Sequence, residues 1–257
     1  MREDASEKTY QTELFVMKKA TLKVAQSIVR DFGELERLQV SRKGVCNFVT
    51  SSDIRAESRI INELQKSNLD YDILSEESGF LKTANHSEYT WVVDPIDGTN
   101  NFRRGIPYFC ISIALVKKDI PVASVCLDPI RGDLFRAARN AGAYADNKNR
   151  IHVTSKTNLL ESVVAIHSNN EKLFASLVSA NAIVRRTGSI SLDLAYLASG
   201  KFDAVIADNV RWWDIATGIV LVKEAGGVVE YEKSGDAYNI KATCSRRLLN
   251  AINSIQF

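Results

Sequence analysis

Four stretches of this chain end an apolar run with a carboxylate, and its chemistry is expected to lie at those acids. The densest is Trp91-Val-Val-Asp-Pro-Ile-Asp-Gly-Thr-Asn-Asn-Phe102. An apolar strand delivers Asp94 to its end, Pro95 fixes φ and removes a donor, and Asp97 follows close behind. Two carboxylates held across a rigid turn repel one another in water and become favourable neighbours once divalent cations sit between them. The Ile96 carbonyl lies between them as a further hard oxygen, and the amides of Gly98 and Thr99, at an expected helix start, suit a phosphate. Ile73-Leu-Ser-Glu-Glu-Ser78 sets Glu76 and Glu77 past a second strand. Trp213-Asp214 stands before a helix, and Val49-Thr-Ser-Ser-Asp53 places an acid at another expected helix start, positions that the helix dipole favours. Any one of these acids alone reads as a cap or a solvated charge. Together they fall where α/β folds place ligands. No Cys or His lies within the motifs, which points to direct attack by water.

The elements that must position these groups can be traced along the chain. Leu14, Met17, Val24 and Ile28 recur at helical spacing, predicting a helix to about Arg30. Ser52 or Asp53 is expected to cap a second helix carrying Ile54, Ile61 and Leu64. Tyr71–Leu74 and Tyr89–Val93 read as strands, and the β-rich runs between Cys110 and Ala145 as antiparallel hairpins. Val163–Ile166 predicts a strand and Glu171–Val178 a helix, and a further helix from Ser189 to Ala198 stops at Gly200. Phe202–Ala207 is strand-like, Asp214–Glu224 helical, and Val228–Tyr231 a strand beyond Gly226-Gly227. Strands and helices in layers with mixed sheets give an α/β or α+β fold. Residues 1–150 are expected to carry most of the ligands and residues 151–257 to add Asp214, the two parts forming one compact catalytic unit.

Composition narrows the class further. The 257 residues suffice for one substantial core, and 45% hydrophobic with 25% charged residues is ordinary for a globular protein. A net charge of +2 gives no support for nucleic-acid or membrane binding through bulk charge. The four cysteines and three histidines are scattered without metal-ligand spacing, which predicts free thiols in a reducing cytoplasm. No signal peptide is evident, and no apolar run is long enough to span a bilayer.

The Trp91–Phe102 string resembles the first signature of the inositol monophosphatase family, and Trp213-Asp-Ile-Ala-Thr-Gly-Ile-Val-Leu-Val-Lys-Glu-Ala-Gly-Gly227 resembles the second. Val49–Asp53 and Ser75-Glu-Glu77 fall in the expected places between. The resemblance implies a layered αβαβα sandwich with mixed and antiparallel sheets, dependence on two or three Mg²⁺ ions, inhibition by Li⁺ and a homodimer. It assigns Glu76, Asp94 and the Ile96 carbonyl to a first metal, and Asp94, Asp97 and Asp214 to a second. Glu76 reaches towards a third through water. Thr99 and Asp53 match the pair that activates the attacking water, so Thr99, Asp53 and Glu76 are the expected catalytic groups. The substrate is expected to meet Ile96, Asp97, Gly98, Thr99 and Asp214, and the loop Gly188-Ser189-Ile190.

Lys43 matches a lysine of the family, and Arg103-Arg104 and Arg185-Arg186 are candidate anion attractors. Of Trp212 and Trp213, one is expected in the core. Ser75 stands where glycine is common, and Thr217 where a smaller residue is, a mild misfit on a helix face. Ala207, with Asp208 beside it, occupies the position of a glutamate that contacts an inositol hydroxyl in animal members. The leading expectation is hydrolysis of an inositol monophosphate. Hydrolysis of fructose 1,6-bisphosphate or another sugar or nucleotide phosphate would use the same acids. A non-catalytic role as a transcription-antitermination partner belongs to some bacterial relatives, although no basic surface stripe supports it here.

Overall fold

The computed structural model describes residues 9–38, 42–83, 87–146 and 148–255, without the side chains of residues 36–38 and 42–50. It opens with two helices, α1 (Gln11–Leu38) and α2 (Arg42–Gln65). Leu14, Met17, Val24 and Ile28 are buried, as their spacing predicts, against Ile60 and Leu64 of α2. Burial of each such side chain contributes about 1.5–3 kcal/mol. The second helix starts well ahead of the expected caps. Ser52 and Asp53 lie within α2, and the Ser52 hydroxyl donates to Asp31 of α1 at 2.9 Å instead of capping a helix end. The α1–α2 pairing carries the helix upstream of a local cap signal.

Eight strands form the first sheet: β1 (Asp72–Ser75), β2 (Gly79–Leu81), β3 (Tyr89–Asp97), β4 (Cys110–Lys117), β5 (Ile120–Leu127), β6 (Leu134–Ala138), β7 (Gly142–Ala145) and β8 (Asn149–Arg150). Their order is β2-β1-β3-β4-β5-β6-β7-β8, with the expected hairpins from β4 to β7 and one parallel pair, β1 with β3. The short helix α3 (Thr99–Arg104) follows β3 directly. β4 and β5 are buried along nearly their whole length because helices cover both faces, so they read as continuous apolar runs.

The second sheet holds β9 (Val163–His167), β10 (Ile183–Arg185), β11 (Ala204–Val210), β12 (Val228–Ser234) and β13 (Ala237–Thr243), in the order β10-β9-β11-β13-β12. The remaining helices are α4 (Glu171–Ser179), α5 (Ile190–Ala198), α6 (Trp212–Glu224) and α7 (Arg246–Asn253). The layers run α1 and α2, first sheet, α5 and α6, second sheet, α4 and α7. This is the αβαβα arrangement. One apolar cluster joins Cys110, Cys126 and Phe135 of the first sheet to α5, α6 and the second sheet, so α6 is clasped from both sides.

Two expectations need correction. Thr217 is no misfit: it is buried and accepts a hydrogen bond from Ser112 of β4 at 2.7 Å, which ties α6 to the sheet. Neither Trp212 nor Trp213 is fully buried. Trp212 packs against Tyr231 and Tyr238 with ring centres 5.8 and 4.7 Å away, because both tryptophans lie at the exposed N-terminal end of α6. Among the described residues no helix is long and apolar enough to cross a membrane.

Candidate active site

β3 does not stop at Asp94. It continues to Asp97 with a register shift against β4 between those two acids. Pro95 sits in that irregular stretch, where a missing N–H costs no ladder bond. The Ile96 amide donates to Asp94 Oδ1 at 3.0 Å, and the Thr99 hydroxyl donates to the Ile96 carbonyl at 3.1 Å. Gly98 takes φ +105°, and a Cβ there would lie 3.0 Å from Phe109 Cβ and 3.1 Å from the Tyr108 carbonyl. Only glycine permits this passage from strand to helix.

Other elements bring the remaining acids to this point. Asp97 Oδ2 accepts from Ser189 Oγ at 2.9 Å and from the Ser191 amide at 2.5 Å, both at the start of α5. Asp214, in the first turn of α6, accepts from the Arg211 amide at 2.7 Å, the back-bond of a capping box. Oxygens of Asp94, Asp97 and Asp214 thereby lie within 4.8 Å of one another. The Glu76 carboxyl, on the turn after β1, lies beside that of Asp94, and the two shift one another's protonation.

Among the described residues, Arg211 beside Asp214 and His167 near Asp97 only partly offset the charge of these acids, and their protonation reflects it. Burial, then Glu76, Asp97 and Asp214, push the Asp94 carboxyl well above the usual range. Burial, then chiefly Asp97, raises Asp214 to about 7. Burial raises Glu76 to about 7 against the opposing influence of Asp94 beside it, with the Glu77, Asp97 and Glu57 charges adding to the rise. Asp97 is also raised by burial, although the Ser191 amide and Ser189 hydroxyl hold it back. Asp53 is buried, its Oδ1 has no hydrogen-bond partner, and burial followed by the charges of Glu77, Glu76 and Glu57 lifts it to about 8. A cluster of repelling, oxygen-only ligands, its Asp94 and Asp97 buried, with a partnerless carboxylate oxygen of Asp53 beside it, fits hard divalent cations. Asp94, Asp97, Asp214, Glu76 and the Ile96 carbonyl are the groups to hold them.

The structure places the other expected site residues more variously. Thr99 has no hydrogen bond to Asp53; its hydroxyl is occupied by the Ile96 carbonyl. The loop Gly188-Ser189-Ile190 adjoins the acids, but Ser189 and Ile190 are buried and the Ser189 hydroxyl is turned onto Asp97. Gly188, at φ +94°, meets Asn101, whose amide donates to the Tyr108 and Thr187 carbonyls at 2.7 and 2.8 Å. Asp208 is exposed and lines a separate groove with Glu230, Glu232 and Lys241. The Lys43 side chain lies outside the described residues.

Glu57 escapes the sequence reading. It is buried and accepts from the Glu77 amide at 2.9 Å and from the Ser78 hydroxyl, which orders the turn carrying Glu76. Its spacing from Asp53 put both on one helix face, and that was the available signal. Ser191, the amide clamp on Asp97, gave no signal, because backbone donors leave no trace in residue type.

Comparison with known proteins agrees with this geometry. The inositol monophosphatase family model matches residues 10–252. An inositol-1-monophosphatase from Caulobacter vibrioides is 38% identical over 83% of this chain and 87% of its own length. A Nus factor SuhB from Xylella fastidiosa is 38% identical over 86% and 82% respectively. The crystal structure of an extragenic suppressor protein suhB from Bartonella henselae superposes with a TM-score of 0.84, at 33% identity over 95% of this chain and 99% of that one. The chain belongs to the inositol monophosphatase family, whose members are phosphoric monoester hydrolases.

Proposed function

We propose that this protein hydrolyses a small phosphomonoester in a Mg²⁺-dependent reaction, with an inositol monophosphate as the leading substrate. The observation that carries the reading is the convergence of Asp94, Asp97 and Asp214 oxygens within 4.8 Å, supplied by β3 and by the first turn of α6. Unaided phosphate monoester hydrolysis is among the slowest of biological reactions, so charge neutralisation and an aligned water are what a protein must supply. Bound cations would neutralise the phosphoryl oxygens and make a water more acidic.

The chain's own groups do the rest. Asp94, Asp97, Asp214, Glu76 and the Ile96 carbonyl form the cradle, and Glu57 fixes the Glu76 turn. The Thr99 hydroxyl is the candidate to orient the attacking water. The raised Asp53 carboxyl exchanges protons near neutral pH, as acid–base work requires. The Gly98 and Thr99 amides, at the start of α3, suit a phosphoryl oxygen. Li⁺ sensitivity, a homodimer and a cytoplasmic location belong to the same proposal.

Phosphate release should be followed with Mg²⁺, with chelator, and with added Li⁺, across myo-inositol 1-phosphate, fructose 1,6-bisphosphate, histidinol phosphate and 3′-phosphoadenosine 5′-phosphate. Turnover of at least one ester that is lost with chelator supports the reading. Release from none, or release untouched by chelation, refutes it. The relatives named Nus factor SuhB share this fold, and nothing on the described surface favours that role over hydrolysis.

A further inference from the structure

We propose that His167, clamped by Asp193 beside the small side chain of Ala207, reads the alcohol half of the substrate and favours esters whose alcohol carries a second anionic group. The proposal rests on the phosphomonoesterase reading above and adds to it a specificity-determining residue.

Asp193 is fully buried in the first turn of α5, two residues beyond the Ser191 amide that holds Asp97. Its Oδ1 accepts from the Tyr108 hydroxyl at 2.5 Å. Its Oδ2 accepts from the Thr187 hydroxyl at 2.6 Å and meets His167 Nε2 at 2.6 Å. A carboxylate is an acceptor only, so Nε2 carries the hydrogen and Nδ1 is left to face elsewhere. No group among the described residues is hydrogen-bonded to Nδ1.

The backbone puts that ring near the acids. β9 and β11 run parallel with His167 level with Ala207, at the C-terminal edge where parallel strands present ligands. Ala207 gives the imidazole no large neighbour on β11, and the His167 side chain stays 13% exposed. The ring lies close enough to Asp97 to be among the groups that hold that raised carboxyl back. The same rim gains a cation at the next residue, where Arg186 donates to the Ser168 carbonyl, and Arg185 is exposed alongside. The cradle and its cations are taken up by the phosphate, so a second anionic group on the alcohol needs its own partners outside the cradle. The guanidiniums of Arg185 and Arg186 on that rim can receive such a group through charge-assisted hydrogen bonds, and the imidazole adds a donor at Nδ1 when both its nitrogens carry hydrogen. A link between β9 and α5 for packing alone would need only Nε2.

The test uses glycerol 2-phosphate and 2-phosphoglycerate, which differ by a hydroxymethyl against a carboxylate, assayed with Mg²⁺. His167→Ala should raise KM for 2-phosphoglycerate about tenfold, the worth of a hydrogen bond to a charged group. Its kcat should hold within about twofold, and both constants for glycerol 2-phosphate should be unchanged. His167→Gln, which keeps a donor for Asp193 and hence the fold, should show the same split with its melting temperature preserved. Where neither ester is turned over but another is, glycerate and glycerol as competitive inhibitors of that ester give the same comparison. Equal KM changes on both esters, or an unchanged ratio in either folded variant, would overturn the proposal and leave His167 a structural tie. Wild-type protein that hydrolyses no ester at all would instead sink the phosphomonoesterase reading.

Discussion

At the C-terminal end of α2, Glu63 is wrapped by Lys23 at 2.6 Å, Lys66 at 2.9 Å and Lys19 at 3.8 Å, and the first two hold its carboxyl down to about 2. Ten residues earlier on the same helix, Asp53 faces Glu57, Glu76 and Glu77 with no cation facing it among the described residues, and burial with those charges lifts its carboxyl to about 8. One helix thus carries acids in two opposite settings. Where the chain supplies its own cations the acid ties α1 to α2. Where the described residues supply none or too few, the acids stay protonated towards neutral pH, the setting that the proposed metal site requires. Asp193 shows a third solution, with hydrogen-bond donors on both its oxygens.

The contrast is broken most severely by neutralising a member of the acidic cluster. Asp94→Asn or Asp97→Asn should cut turnover at saturating Mg²⁺ by about 10³-fold or more, in line with losing preorganised charge at a reacting centre. Asp94→Asn should at the same time raise the melting temperature of the metal-free protein, since one of several repelling buried acids is gone. Both variants retaining near-normal turnover would remove these acids from the cradle. Thr99→Ala should lose roughly 10²-fold, as removal of a positioned acid–base or orienting group does. An unchanged rate would dismiss it as the partner of the water.

Glu57→Gln tests the support beneath Glu76. Its carboxylate accepts from the turn's backbone, so the variant should weaken Mg²⁺ affinity about tenfold, the usual effect of a group that orients a ligand. Affinity equal to wild type would restrict Glu57 to folding.

Without metal, protein stability should fall as pH rises. Asp214 and Glu76 are raised to about 7 from ordinary values of 3.8 and 4.5, and Asp53 to about 8. Between those ordinary values and the raised ones, the folded state binds more protons than the unfolded state, so the slope of stability against pH is negative. Melting temperatures of the chelated protein should drop from about pH 4 to pH 8, and Mg²⁺ should recover most of the loss at the upper end. A flat profile would show that the acids do not repel as described. Glu63→Gln should have the smallest effect, leaving turnover intact and lowering the melting temperature slightly, less so in high salt.

Much of this centre was readable in advance because its chemistry is local. Asp94, Asp97, Gly98 and Thr99 sit on one continuous segment, so types and spacing alone exposed them. Asp214 and Glu76 could be read because each follows an apolar strand or starts a helix. Asp53 was found by residue type while its setting was misjudged, since the cap signal of Ser52 is overridden by packing of α2 on α1. Glu57 and Ser191 act through a turn and a backbone amide that exist only after folding. In the fold, β13 and α7 were not foreseen. Ala-Tyr-Asn-Ile-Lys-Ala-Thr has weak alternation and becomes a strand by pairing with β11 and β12, and the short α7 depends on its Ser245 cap and on β13 for support.

Calorimetric titration of the metal-free protein with Mg²⁺ near pH 7, repeated in buffers of different ionisation enthalpy, tests the central claim most directly. Wild-type protein should bind Mg²⁺ with net release of protons, because carboxyls raised towards neutrality must ionise to act as ligands. Asp94→Asn should lose that binding and Glu63→Gln should keep it. Binding to Asp94→Asn equal to wild type, or Mg²⁺ uptake by wild type without proton release, would contradict the account.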